Sequence, residues 1–313
     1  MIHGRATVVL ALMVLVLAGC ASTPATSQSS TPVTVVTSTN VYGAIVKAVG
    51  GDRVTVDSLV TEPSADPHSY EATPADAAKV ARARLVVFNG GGYDDFVPRL
   101  VASSGTDVAV LEATQVAGIE PTPPEEPTSP DAHDEQNSDN EHVWYDLSAM
   151  QRLAERIAEQ LTSVDPAGAA TYSAGADRFT AAVGELLTRV EGIAARHRGT
   201  RIAATEPLAA YLVEDAGLVD ATPEEFVDAV ADDAEPPAAA VAETLDLFTN
   251  DPVRLLIVNP QTATPTTEHV RHAAEAAGVP VVSMTETLPE GVDDYVSWMR
   301  TQIDALSAAL DRP

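Results

Sequence analysis

Of the chain's seven histidines, two stand in segments whose neighbours fix a turn. His68 closes Asp66-Pro67-His68, directly after a strand-like run and before a capped helix start. His142 lies in Glu141-His142-Val143-Trp144-Tyr145-Asp146, where an acidic stretch gives way to an amphipathic pattern. Two carboxylates hold matching places further on: Glu206 follows RIAAT (201–205) and Glu286 follows VPVVSM (279–284). In open α/β sheets, ligands gather outside the carboxyl ends of the strands, which is where His68 stands, and Glu286 occupies the same topological place in the second half. Each of the four is a residue type that can ligate a divalent transition metal. Imidazole matches zinc and its neighbours, and carboxylate oxygen matches harder manganese. Taken singly, each has an ordinary explanation: a solvated loop histidine, or an acid at the positive end of a helix dipole.

Other candidates carry less chemistry. Asp293 and Asp294 are nearby competitors of Glu286, but they read as the opening acids of the last helix. Gly90-Gly91-Gly92 follows a strand without phosphate-loop spacing, and Asp94-Asp95 behind it would repel phosphate. His269 and His272 lie three apart on a helix, where a solvated face is the simpler account. A zinc site of two histidines and a carboxylate could also serve a metal-dependent hydrolase. That reading needs an open coordination position and a general base, and no HExxH pattern is present. An enzyme is therefore not expected.

These residues need elements to position them. VTVVT (33–37), RVTVDSLV (53–60), RLVVF (84–88) and DVAVL (107–111) alternate with helix-like pieces, and Gly50-Gly51 ends the first of these. Any of Ser38, Thr39 and Asn40 can cap that first helix, and Thr73-Pro74 opens another with Asp76 in its first turn. Asp146 caps a helix with Met150, Leu153, Ile157 and Leu161 on one face. From Pro166 to His197, Tyr172, Phe179, Val183, Leu186, Val190 and Ile193 recur at three, four or seven residues. A second alternation follows, with strands at 201–205, 253–258 and 279–284 and a closing helix at 293–309. The expected fold class is α/β: two lobes, each a small parallel sheet flanked by helices, joined by one long rigid helix. The N-terminal lobe is expected at 33–165, the linking helix at 166–198 and the C-terminal lobe at 199–313. Residues 119–142 hold eight acids, five prolines and no lysine or arginine, so 119–141 reads as a mobile acidic loop.

Residues 1–20 read as an export signal: Arg5, an apolar run at 7–18, then Leu17-Ala18-Gly19-Cys20. The apolar run falls short of the ~20 residues of a membrane-spanning helix. Cys20 is the chain's single cysteine, which excludes an internal disulfide or a thiolate metal site and matches a lipidation site. A cell-membrane location on the extracytoplasmic face follows, with 21–32 as a flexible tether. The net charge of −28 argues against nucleic acid or an anionic membrane surface as partner. Aromatics at 4% leave little stacking surface for sugars.

The segments VVTSTNVYGAIVKAVGG, DPHSYEATPADAAKVARARLVVFNG, EHVWYD and NPQTATPTTEHV, with VPVVSMTETLPEG behind them, resemble the solute-binding proteins of zinc and manganese ABC importers (the cluster A-I type). The similarity runs from about Val33 to the C-terminus. The resemblance implies two α/β lobes on one rigid helix, a metal held in the cleft as transported ligand, and delivery to an ABC permease subunit in the membrane by a monomer, with no role in cell adhesion. His68 falls on the family's DPH histidine and His142 on that of its HVWxD motif. The third ligand is His or Glu after the first strand of the second lobe, here Glu206. The fourth is usually an Asp. This sequence has none there, and Glu286 is the nearest match. Zinc-importing relatives carry a His-rich loop before the second ligand; here His133 stands alone in it. A long joining helix would also limit hinge closure, leaving release to local loop shifts.

Overall fold

The computed structural model describes residues 31–62, 67–119, 140–250 and 252–312. The expected signal segment, Cys20, most of the tether, Asp66, His133 and most of the acidic stretch lie outside the described residues.

The N-terminal half runs β1 (Val33–Thr39), α1 (Asn40–Gly50), β2 (Val54–Val60), α2 (Pro74–Val80), β3 (Leu85–Phe88), α3 (Phe96–Ser104), β4 (Ala109–Glu112), α4 (Ala113–Ala117) and α5 (Leu147–Val164). Next is α6 (Ala169–His197), followed by β5 (Arg201–Ala204), α7 (Ala210–Asp215), β6 (Val219–Asp220), α8 (Glu224–Ala231), α9 (Ala238–Asp246), β7 (Leu256–Val258), α10 (Pro265–Ala276), β8 (Val281–Ser283) and α11 (Tyr295–Leu310). The sheets are ordered β2-β1-β3-β4 and β6-β5-β7-β8, and every strand pair is parallel. Both lobes therefore repeat one topology. In each, the chain turns outward from the first strand and then returns to its other side. That reversal opens a crevice at the carboxyl ends of β1 and β3, and of β5 and β7.

Strand burial follows position in the sheet. Central β3 is buried at all four residues, as expected of a strand covered on both faces. Edge strands β4 and β6 carry the exposed Val110 and Val219. The strands at 253–258 and 279–284 are shorter than their apolar runs, at three residues each. β6, with two residues, has too little pattern to be seen in sequence.

Several helix starts follow from local chemistry. Thr73 and Asp76 form a reciprocal capping box with Pro74 behind the cap, and Asp146 accepts from the Ala149 amide at 2.8 Å. α1 differs: Thr39 occupies its cap position without a side-chain cap bond, since the segment enters directly from β1. The long helix begins at Ala169, later than its pattern, because Pro166–Gly168 form a 3₁₀ turn first. Its 29 residues span about 44 Å.

α6 is packed into the core rather than spanning open space. It lies against α1, α5 and α11. At Gly175 a β-carbon would stand 2.1 Å from the Val49 carbonyl oxygen of α1, so only glycine lets these backbones meet. One apolar cluster runs from Val35 and Val87 of the first sheet, through Phe179, Leu186 and Ile193, to Ile202 and Ile257 of the second. No helix among the described residues is long and apolar enough to cross a membrane.

Candidate metal centre

The centre is built at the carboxyl ends of the two sheets. His68 follows β2, on the loop leading to the capping box of α2. His142 sits one residue before a 3₁₀ turn, Val143–Tyr145, whose three residues are buried. Glu206 follows β5 and Glu286 lies beyond β8.

His142 is the most tightly held. Its ring Nδ1 lies 2.6 Å from Asn140 Oδ1, and the Asn140 amide donates onward to the Pro207 carbonyl at 2.9 Å. With its amide committed to Pro207, Asn140 presents oxygen to the ring. Nδ1 then carries the proton and Nε2 keeps a lone pair for a metal. Trp144 stands edge-on to the ring at 5.2 Å and packs in turn at a tilt on Tyr93 at 4.7 Å. Burial, with a smaller contribution from His68, pushes the His142 imidazole down to about 3, so it is neutral and ready to coordinate across the physiological range.

His68 meets the ring of Tyr93 edge-on at 4.8 Å, and its ring centre is 6.3 Å from that of His142. One ligand atom each from His68, Glu141 and His142 fall within 4.8 Å of one another. Glu206 and Glu286 do not belong to that group. Both are nevertheless buried, at 6% and 1% exposure, and polar side chains orient both. Thr262 Oγ1 donates to Glu206 Oε2 at 2.7 Å. Asn259 Nδ2 donates to Glu286 Oε1 at 2.7 Å, and Tyr93 OH donates to Glu286 Oε2 at 3.1 Å. The Gln261 side chain accepts from the Glu286 amide at 2.6 Å. Glu206 also lines a cavity of about 310 Å³ with Asn140, Pro207 and Tyr211.

Two links therefore tie the lobes through the site: His142–Asn140–Pro207 beside Glu206, and His68–Tyr93–Glu286. Asp294 instead caps α11, accepting from the Ser297 amide at 2.7 Å, and Asp293 is exposed. That leaves Glu286 as the buried carboxylate of this segment. His269 and His272 are exposed on α10, on the solvated face expected of them.

Three site residues carry no mark of their own in the sequence. Glu141 reads there as part of the acidic loop, yet it and Asn140 belong to the ordered centre. Burial first, and then the charges of Asp94, Asp232, Glu206 and Asp95, raise its carboxyl to about 7, so acids of both lobes converge here. Tyr93, behind the three glycines, joins His68 to Glu286. The glycines take φ of 86°, 66° and 96°. Asp94 fills the amides that a phosphate would need, accepting from Asn89 N at 2.7 Å and Gly90 N at 2.8 Å.

Residues 35–309 match the family described as ZnuA, zinc-uptake complex component A periplasmic. The manganese-binding lipoprotein MntA of Halalkalibacterium halodurans is 30% identical over 179 residues, 57% of this chain and 55% of that protein. The manganese ABC transporter substrate-binding lipoprotein PsaA of Streptococcus anginosus is 28% identical over 181 residues, 55% of either chain. The chain thus spans about half the length of the curated relatives it matches. Among solved structures, the periplasmic zinc binding protein TroA from Treponema pallidum is similar with a TM-score of 0.71 at 19% identity, covering 90% of this chain and 100% of that one. A manganese-bound periplasmic metal binding protein from Candidatus Liberibacter asiaticus gives 0.69 at 20% identity, covering 89% and 99%. These two likenesses concern the fold.

Proposed function

The chain belongs to the family of periplasmic zinc-uptake complex A components, and from that premise we propose that it captures a divalent transition metal, Zn²⁺ or Mn²⁺, between its lobes and delivers it to an ABC permease in the membrane. The carrying observation is the convergence of His68 and His142 with a carboxylate, their ligand atoms within 4.8 Å. Their partners from the second lobe are Glu206 and Glu286, each buried and aimed by neutral hydrogen-bond donors. In this reading residues 33–165 and 199–313 are the two lobes, and a lipid on Cys20 holds the monomer to the outer face of the membrane.

The donor set tolerates both metals. Two imidazoles favour zinc, while carboxylates that can bind through both oxygens raise the coordination number towards what manganese accepts. Intrinsic affinity follows zinc over manganese for such sites, so supply contributes to the metal carried. A hydrolytic centre would keep one coordination position open to substrate. Ligands drawn from both sheet ends enclose an ion instead.

The test is a titration of metal-stripped protein with Zn²⁺ and Mn²⁺, alone and in competition. His68→Ala is expected to weaken binding of both strongly while the far-UV spectrum stays native. Unchanged affinity would place the site elsewhere.

A further inference from the structure

Glu141 puts Oε1 3.6 Å from His68 Nε2, immediately before the ligand histidine His142 in the chain. Donors about 2.1 Å from a tetrahedral ion stand about 3.4 Å apart. The 3.6 Å between Glu141 and His68 is close to that spacing, and the three ligand atoms lie within 4.8 Å of one another.

The backbone holds this acid in place. Asn89 Nδ2 and the Val143 amide both donate to the Glu141 carbonyl, at 2.9 and 2.7 Å. The three-glycine turn leaves it room: a β-carbon on Gly91 would stand 3.3 Å from Glu141 Cβ, and one on Gly92 3.9 Å from Oε2. Among the described residues the ion-pair partner of Glu141 is His68, and its side chain is 22% exposed. An acid held against two imidazoles, with no lysine or arginine pairing to it among the described residues, is arranged for a cation.

We propose that Glu141 is itself a metal ligand, forming with His68 and His142 a two-nitrogen, one-carboxylate half-site carried wholly by the N-terminal lobe. The proposal rests on the capture reading above and adds a donor to it. With Glu206 and Glu286 the ion then meets five protein ligands. Zinc is satisfied by four, whereas manganese takes higher coordination with hard oxygen donors. Glu141 is thus a donor that matters more to manganese than to zinc.

Four proteins decide it: wild type, His68→Ala, Glu141→Gln and Asp95→Asn, each stripped and titrated separately with Zn²⁺ and Mn²⁺ at about 0.15 M salt, where exposed charges are screened beyond ~8 Å. Glu141→Gln keeps the shape and removes the anionic donor. Asp95→Asn removes an exposed charge whose field reaches Glu141. The expected pattern is loss of both metals in His68→Ala, and about tenfold or more weaker Mn²⁺ in Glu141→Gln with Zn²⁺ weakened under about threefold. Asp95→Asn should change either metal under about twofold. In the Co²⁺-loaded protein, Glu141→Gln should also strengthen the visible absorption band, because the ion loses a donor. If His68→Ala loses both metals while Glu141→Gln behaves like wild type or like Asp95→Asn, or leaves the Co²⁺ band unchanged, capture stands and the ligand role of Glu141 falls. If His68→Ala retains both metals, the capture reading falls and takes this one with it.

Discussion

The two lobes share one strand order but meet the crevice with different chemistry. The N-terminal lobe offers both imidazoles, His68 on a loop and His142 against the buried Val143–Tyr145 turn, with Glu141 beside them. The C-terminal lobe offers carboxylates, and Asn259, Thr262 and Gln261 orient them through hydrogen bonds. Neutral nitrogen donors gain most from a fixed tautomer, which Asn140 supplies to His142. Carboxylates in a buried place gain most from dipoles that lower the cost of their charge. In the proposed site a common framework would carry two solutions to the same problem: one lobe supplies the nitrogen donors, and the other most of the charge that balances a dication.

The largest effect should come from the nitrogen side. His142→Ala removes the most rigidly held donor, and affinity for Zn²⁺ and Mn²⁺ should fall by about 100-fold or more, beyond the 10–100-fold typical of losing a supporting partner. Isothermal titration checks it. A smaller loss than in Glu286→Gln would reverse the ranking of the lobes. Glu286→Gln keeps the volume and removes the charge, so a loss of about 10–100-fold is expected, steeper for Mn²⁺ than for Zn²⁺; an equal loss for both metals would show that this side does not discriminate between them. Next, Asn140→Ala should weaken binding about tenfold by freeing the His142 ring to turn, at unchanged thermal stability to within a few degrees. If affinity holds, the tautomer is set by something else.

The smallest effect separates the lobes without metal. Helices α2 and α10 both open on Thr-Pro capping boxes, closed by Asp76 in one and Thr267 in the other. Burial raises the Asp76 carboxyl, but hydrogen bonds from Thr73, Lys79 and Tyr70 outweigh this and hold it at about 2, below its ordinary 3.8. A lowered carboxylate contributes stability that is complete above about 3.8 and is lost as pH falls through about 2. Asp76→Ala should therefore cost about 1 kcal/mol near neutral pH, and its gap to wild type should narrow towards convergence as pH falls through about 2. Thr267→Ala should show no such convergence. Urea titrations at several pH values measure both.

Legibility in the sequence followed locality. His68 and His142 stand in short segments with Pro67, Trp144 and Asp146 around them, so their neighbours carried the signal. The Thr73 and Asp146 caps and the α6 stripe were legible because each is set within a turn or two of helix. Glu141 was not, since one acid among eight in a stretch of 24 residues has no local mark; only the fold brings it to His68. Tyr93 was missed for the same reason, as its partner Glu286 lies 193 residues away. β6 escaped because its two edge residues are ordered by β5 rather than by their own pattern.

The apolar cluster that runs without interruption from the first sheet through α6 to the second also bears on how the protein comes apart. Each lobe also keeps a smaller apolar cluster of its own, without α6, but the largest one is shared through the helix, so heating should give a single calorimetric transition whose enthalpy matches the van't Hoff value. Cutting the chain within α6 should leave two fragments that rebuild the shared cluster only on being mixed.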